Sequence, residues 1–180
     1  TVEAYTTALR LSYAGRIWIA LFLFLFTAEL CGRKLPAAAK YAFIALHAGI
    51  YVSVLTLDRN DLFYTNYEFT SNGRFPQFTH GNGILHKVFT IIQLAYIIAG
   101  VTMLFVSLYN EKSKAAKKRV LMVIFAVIAE SAFYVVQISG IFAEITQVYD
   151  ITMIGYSIGT IFMFVAIFRC DLLGTSEIAR

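Results

Sequence analysis

Five long apolar runs, at residues 15–31, 37–57, 84–109, 120–140 and 151–169, constrain this sequence more than any other feature. Crossing the hydrocarbon core of a bilayer takes about 20 mostly apolar residues. No water is available there, so every backbone polar group must be paired within the segment, which a helix achieves. The expected fold class is therefore all-α, a polytopic membrane helix bundle with about five spanning helices in one domain over residues 1–180. Composition agrees: charged residues make up 14% of the chain, against roughly 25% in soluble domains. Pro36 suits the first turn of the second span, where a missing N–H costs nothing. Within 1–14, Val2, Tyr5, Leu9 and Tyr13 recur at three- and four-residue spacing. That pattern predicts a short amphipathic helix, either lying at the interface or continuing the first span outward.

Lys and Arg set the orientation. Lys112, Lys114, Lys117, Lys118 and Arg119 crowd the connection 111–119, and Arg33, Lys34 and Lys40 follow the first span. The alternate connections are poorer: 141–150 has neither residue type, and 58–83 has Arg59 and Arg74. The positive-inside rule places the two basic connections in the cytoplasm, with the N-terminus outside and the C-terminus cytoplasmic. Trp18, Tyr51, Tyr109 and Tyr149 fall near the interfaces this assignment implies. The expected location is the cell (inner or plasma) membrane, multi-pass, with the lipid bilayer as the first partner. The net charge of +4 is explained by orientation. The basic connection lacks interleaved aromatics, so nucleic acid is not an expected partner.

Signatures of soluble enzymes (GxGxxG, P-loop, GxSxG, HExxH) are absent, and no enzyme activity, cofactor or metal is expected of this chain. Cys31 and Cys170 are far apart and read as free thiols. Haem would need two histidines at matching depth. His47 lies about 15 Å deeper than His80 and His86, and the latter two lack a third ligand for a metal. Polar residues inside spans are the better lead, because burying them in lipid is costly. His47 and Glu130 lie near the middle of their spans and form a candidate buried polar pair. The bland alternative is a local hydrogen bond for each within a packed bundle. Tyr51, Tyr64, Tyr67, His86, Gln93, Tyr134 and Gln137 all fall in the outer half of their spans or in the outer connection. They are the candidate lining of a pocket for a small-molecule ligand of unknown identity.

The connection 58–83 is long and aromatic. Its run LFYTNYEF, then Ser71-Asn72-Gly73-Arg74, then FPQF reads as two extended segments about an Asn-Gly turn, forming a lid or a structural cap. Here the sequence becomes familiar. Leu62-Phe63-Tyr64, Gly73-Arg74-Phe75-Pro76, and Gly83 with His86 leading into a span resemble the N-terminal seven-transmembrane sensor region of bacterial histidine kinases and diguanylate cyclases. Leu11-Ser12-Tyr13-Ala14-Gly15-Arg16 is similar to that family's approach to its third helix. Arg169-Cys170-Asp171-Leu172-Leu173-Gly174-Thr175 is similar to its cytoplasmic exit. The resemblance implies the last five of seven helices, with two N-terminal helices missing from a chain that starts at Thr1.

The resemblance implies a sensory, signal-transducing input domain. It would relay an extracellular or membrane stimulus to a cytoplasmic kinase or GGDEF cyclase domain outside this chain, with homodimerisation through that output domain. The alternative is a subunit or fragment of a small-molecule transporter or channel, which would favour Gly- or Pro-broken spans. No span carries an internal Pro.

Overall fold

A computed structural model describes residues 2–70, 77–142, 150–170 and 172. Five helices are present: α1 (Val2–Leu30), α2 (Ala37–Leu55), α3 (Ile84–Asn110), α4 (Lys114–Ser139) and α5 (Thr152–Cys170). Two strands, β1 (Tyr64–Thr70) and β2 (Gln77–Asn82), lie between α2 and α3. All five helices are long and apolar enough to cross a membrane. The chain divides into two compact units, residues 1–98 and 99–180.

Two helix boundaries depart from the sequence reading. The first span is expected from residue 15, but α1 runs unbroken from Val2. At 1.5 Å per residue it is about 44 Å long, more than the ~30 Å hydrocarbon core, so one end stands clear of it. The amphipathic segment thus continues the span instead of forming a separate helix. The fourth span is expected from residue 120, after a basic connection 111–119, but α4 begins at Lys114. Ser113 caps it, its Oγ accepting from the Ala116 amide at 3.4 Å. The Glu111 carboxylate accepts from the Lys112 and Ser113 amides at 2.9 Å. Four cations at a helix N-terminus oppose the macrodipole; the cap and Glu111 offset that cost. Hydropathy alone reads such a turn as loop.

In the first unit α1 packs on α2. Tyr13, Ile17, Leu21 and Ala28 form the buried stripe of α1, and His47, Ile50, Ser53 and Val54 that of α2. Both follow the three- and four-residue spacing of a helix face. The turn between them is a Schellman cap. Gly32 takes φ +67°, its amide donates to the Glu29 carbonyl at 2.9 Å, and the Arg33 amide donates to Ala28 at 2.8 Å. Pro36 caps α2, one position before the helical turn expected for it.

β1 and β2 pair antiparallel, with Tyr64 opposite Asn82 and Thr70 opposite Gln77. The register shifts between Thr65 and Glu68, where Asn66 adopts φ +49°. This is a β-bulge with an Asn in the left-handed conformation that Asn tolerates. The base of the hairpin is fixed to α3. The Gly83 amide donates to the Phe63 carbonyl and the Leu85 amide to the Leu62 carbonyl, both at 2.9 Å. A Cβ at Gly83 would sit within 2.7 Å of the Asp61 carbonyl oxygen, so only glycine permits this approach. The turn at 71–76, including the predicted Asn72-Gly73, lies outside the described residues.

In the second unit α4 and α5 run antiparallel. The Arg119 Nε donates to the Cys170 carbonyl at 2.7 Å at one end. The Ile151 amide donates to Gln137 Oε1 at 3.1 Å at the other. Asp150 caps α5, its Oδ1 accepting from the Thr152 amide at 3.1 Å and from the Thr152 hydroxyl. Gly155 and Gly159 make the contact close. A Cβ at Gly155 would lie 2.8 Å from Phe133 Cβ and 3.2 Å from the Ala129 carbonyl oxygen. Lipid tails are as apolar as leucine, so spanning helices associate through such backbone approach more than through hydrophobic burial.

Candidate functional site

The hairpin folds a polar–aromatic cluster onto the first unit. Tyr64 on β1 is 3% exposed and Phe63 fully buried. The Tyr64 hydroxyl hydrogen-bonds the Tyr13 hydroxyl of α1. His80 of β2 stacks on the Tyr64 ring at 3.7 Å between centroids. Two residues before Asn82, it is the diagonal cross-strand neighbour of Tyr64 and so shares its face. His86, in the first turn of α3, closes the group at 5.1 Å from both Phe63 and Tyr64. Tyr13 meets the Phe63 ring edge-on at 5.1 Å, and the Arg16 guanidinium stands 5.6 Å over Tyr13. α1, the hairpin and the start of α3 meet here through five rings and one hydroxyl pair.

Burial governs the protonation of this cluster. It holds the His80 imidazole below the ordinary value of 6.5. It pushes the Tyr64 phenol well above the ordinary tyrosine range, with Tyr13 adding in the same direction. At neutral pH both groups are therefore uncharged. His80 Nδ1 is shut off from solvent, with no hydrogen-bond partner among the described residues.

Further along the bundle, fully buried His47 is ringed by aromatics. Its ring stacks on Tyr96 of α3 at 5.7 Å, with Trp18 at 6.2 Å and the edge of Phe89 at 6.1 Å. Its Nδ1 bonds the Phe43 carbonyl oxygen one turn back at 2.8 Å. Its Nε2 and the Tyr96 hydroxyl have no hydrogen-bond partner among the described residues. Trp18 of α1 packs beside this histidine.

The seven candidate lining residues divide between the units. Tyr51, Tyr64, Tyr67, His86 and Gln93 belong to the first, and Tyr134 and Gln137 to the second. Tyr64 and His86 touch, and Tyr51 packs against the same core. Gln93 is 7% exposed on α3. The Tyr67 side chain lies outside the described residues. Gln137 holds the start of α5. His47 and Glu130 also fall in different units. Glu130 faces α5, where a Cβ at Gly159 would lie 2.7 Å from its Cγ. The Gly155-xxx-Gly159 spacing is the signal that would have identified this seat from the sequence. Tyr13 and His80 carried no comparable signal, because their partnership needs the hairpin closed on α1. Among the described residues no three His, Cys, Asp or Glu side chains gather as a metal site.

A second feature of the first unit is a cleft of about 770 Å³ between the first turns of α1 and the connection 57–61. Arg10 and Asp58 pair across it at 2.5 Å.

A family model described as the N-terminal 7TM region of histidine kinase covers residues 1–176. No curated protein and no solved structure matches the chain.

Proposed function

Because the chain belongs to the family of N-terminal seven-transmembrane regions of histidine kinases, we propose that it is a membrane-embedded input region that relays an extracellular or membrane stimulus to a cytoplasmic output domain. The family match over residues 1–176 carries this reading. The output is a histidine kinase or a GGDEF diguanylate cyclase following the exit helix α5, and homodimerisation runs through it. The lysines and arginines around 111–119 favour the cytoplasmic side for the α3–α4 turn, which leaves the hairpin outside.

The physical requirement for relay is a device whose two arrangements a stimulus binds unequally. The hairpin suits this role. With the preceding Phe63, it is held to α1 by one hydroxyl pair and an edge-on ring contact, and to α3 by tilted and edge-on ring contacts and two backbone bonds, a small number of contacts that can be exchanged together. α3 begins in the hairpin cluster, so displacement of the cluster acts on the first turn of that helix.

The experiment is output activity of the full-length protein in membrane vesicles. Tyr64→Phe and Tyr64→Ala are expected to change basal or stimulated output, with Ala the larger. Tyr109→Ala, at an 88% exposed position, is expected to leave it unchanged. Equal output from all three variants and the wild type would remove the hairpin from the relay.

A further inference from the structure

The cleft between α1 and the connection 57–61 has an unbalanced set of charges once its internal bonds are subtracted. Its walls carry the carboxylates of Glu3, Asp58 and Asp61 and the guanidiniums of Arg10 and Arg59. Arg10 Nη2 donates to Asp58 Oδ1, while Arg10 Nε is buried with no hydrogen-bond partner among the described residues. The Thr6 hydroxyl donates to the Glu3 carbonyl at 3.0 Å. The Asn60 amide donates to Thr56 at 2.8 Å, and its oxygen accepts from the Leu62 amide at 3.0 Å. The Glu3 and Asp61 carboxylates and the Arg59 guanidinium remain, with no ion pair or side-chain hydrogen bond among the described residues.

We propose that this cleft binds a small zwitterion of the amino-acid type, free or as a short peptide. Its ammonium would lie toward Glu3 and Asp61 and its carboxylate toward Arg59. The chemistry follows from what each alternative would leave unanswered. A dicarboxylate meets two like charges. A polyamine leaves the guanidinium unpaired and is repelled by it. A hard divalent cation takes six or more oxygens, and no three-member cluster of ligating side chains is present among the described residues. A guanidinium and a carboxylate form bidentate, charge-assisted hydrogen bonds, among the strongest polar contacts available. The volume falls within the range of small-molecule sites, roughly 300–1,000 Å³, and leaves room for a second residue of a peptide. Bound there, the ligand ties α1 to the segment leading into the hairpin, in parallel with the Arg10–Asp58 pair. This consequence for output rests on the sensory reading above; the binding does not.

The test is isothermal titration of the full-length protein in lipid nanodiscs with L-alanine, L-alanyl-L-alanine, putrescine and succinate. At least one of the two zwitterions is expected to bind, about tenfold or more tighter than putrescine and succinate, as the loss of one charge-assisted contact implies. Whether alanine or the dipeptide binds separates a free amino acid from a peptide. Arg59→Gln and Asp61→Asn are each expected to weaken that binding by about tenfold, with the melting temperature unchanged. No heat with either zwitterion, putrescine binding as tightly, or full affinity in both folded variants overturns the site. Zwitterion binding without any change in output would overturn the sensory reading and leave the site standing.

Discussion

Glu130 shows how a single position can set the cost of its neighbours. Its carboxyl group occupies the space that a side chain at position 159 would need. A carboxylate in the apolar part of a span must be neutralised, paired or wet, so its shape and its hydrogen-bonding capacity matter separately. Glu130→Gln, which keeps both, is expected to lower the melting temperature less than Glu130→Leu. Gly159→Ala is expected to destabilise by about 1–3 kcal/mol through overpacking. In an Glu130→Ala background the same change should cost markedly less, because the obstructing side chain is gone. Thermal unfolding of the four members of this cycle in detergent checks the coupling, and strictly additive shifts would count against it. The buried Tyr13–Tyr64 hydroxyl pair makes a similar case. Tyr64→Phe removes one partner and leaves the Tyr13 hydroxyl short of one, a loss of about 1–3 kcal/mol. The double variant Tyr13→Phe, Tyr64→Phe should lose less than the sum of the two single ones.

At the scale of elements, the stability of the hairpin should depend on pH. Burial lowers the folded-state pKa of His80 below its ordinary 6.5. Below that ordinary value the opened hairpin takes up a proton that the closed one resists, so closure weakens as pH falls and is unaffected well above it. Protection factors of the β1 and β2 amides, which take out the intrinsic pH dependence of exchange, are therefore expected to fall between neutral pH and pH 5, with those of α5 unchanged. His80→Gln should flatten the dependence. The elements also show what the sequence could and could not convey. Span number was legible because bilayer thickness fixes the length of every apolar run. The starts of α1 and α4 were not. Charged residues such as Arg10 and Lys117 lower local hydropathy even where a helix continues, and the start of α4 is set by one serine hydroxyl at Ser113. Depth brought Tyr64 and His86 onto the same candidate list. It conveyed neither the rotation of each helix nor which unit a residue joins, so Tyr134 and Gln137 were grouped with residues of the other unit. His80 became a neighbour of Tyr64 only through strand pairing across a bulge.

For the whole molecule, the distribution of charge makes a topological prediction. Lys112 and Lys114 flank Ser113 at the turn between α3 and α4, and the positive-inside rule puts that turn in the cytoplasm. With Cys31 and Cys170 replaced by serine, Ser113→Cys should resist an impermeant thiol reagent in intact cells and react after permeabilisation. Labelling in intact cells would invert the orientation and, with it, the side from which a stimulus reaches the hairpin.

The bulge at Asn66 carries one further implication. Paired strands of alternating side chains can slip past one another, and a slip of one residue turns every side chain to the opposite face. The extra residue in β1 and the glycine seat at Gly83 remove that freedom, since any slip would lift His80 off Tyr64 and drive a side chain against the Asp61 carbonyl. Translation is blocked, and the motion left to the hairpin is a tilt about the two amide bonds at its base, those of Gly83 and Leu85. It is a lever with a fixed fulcrum, whose short arm is the first turn of α3.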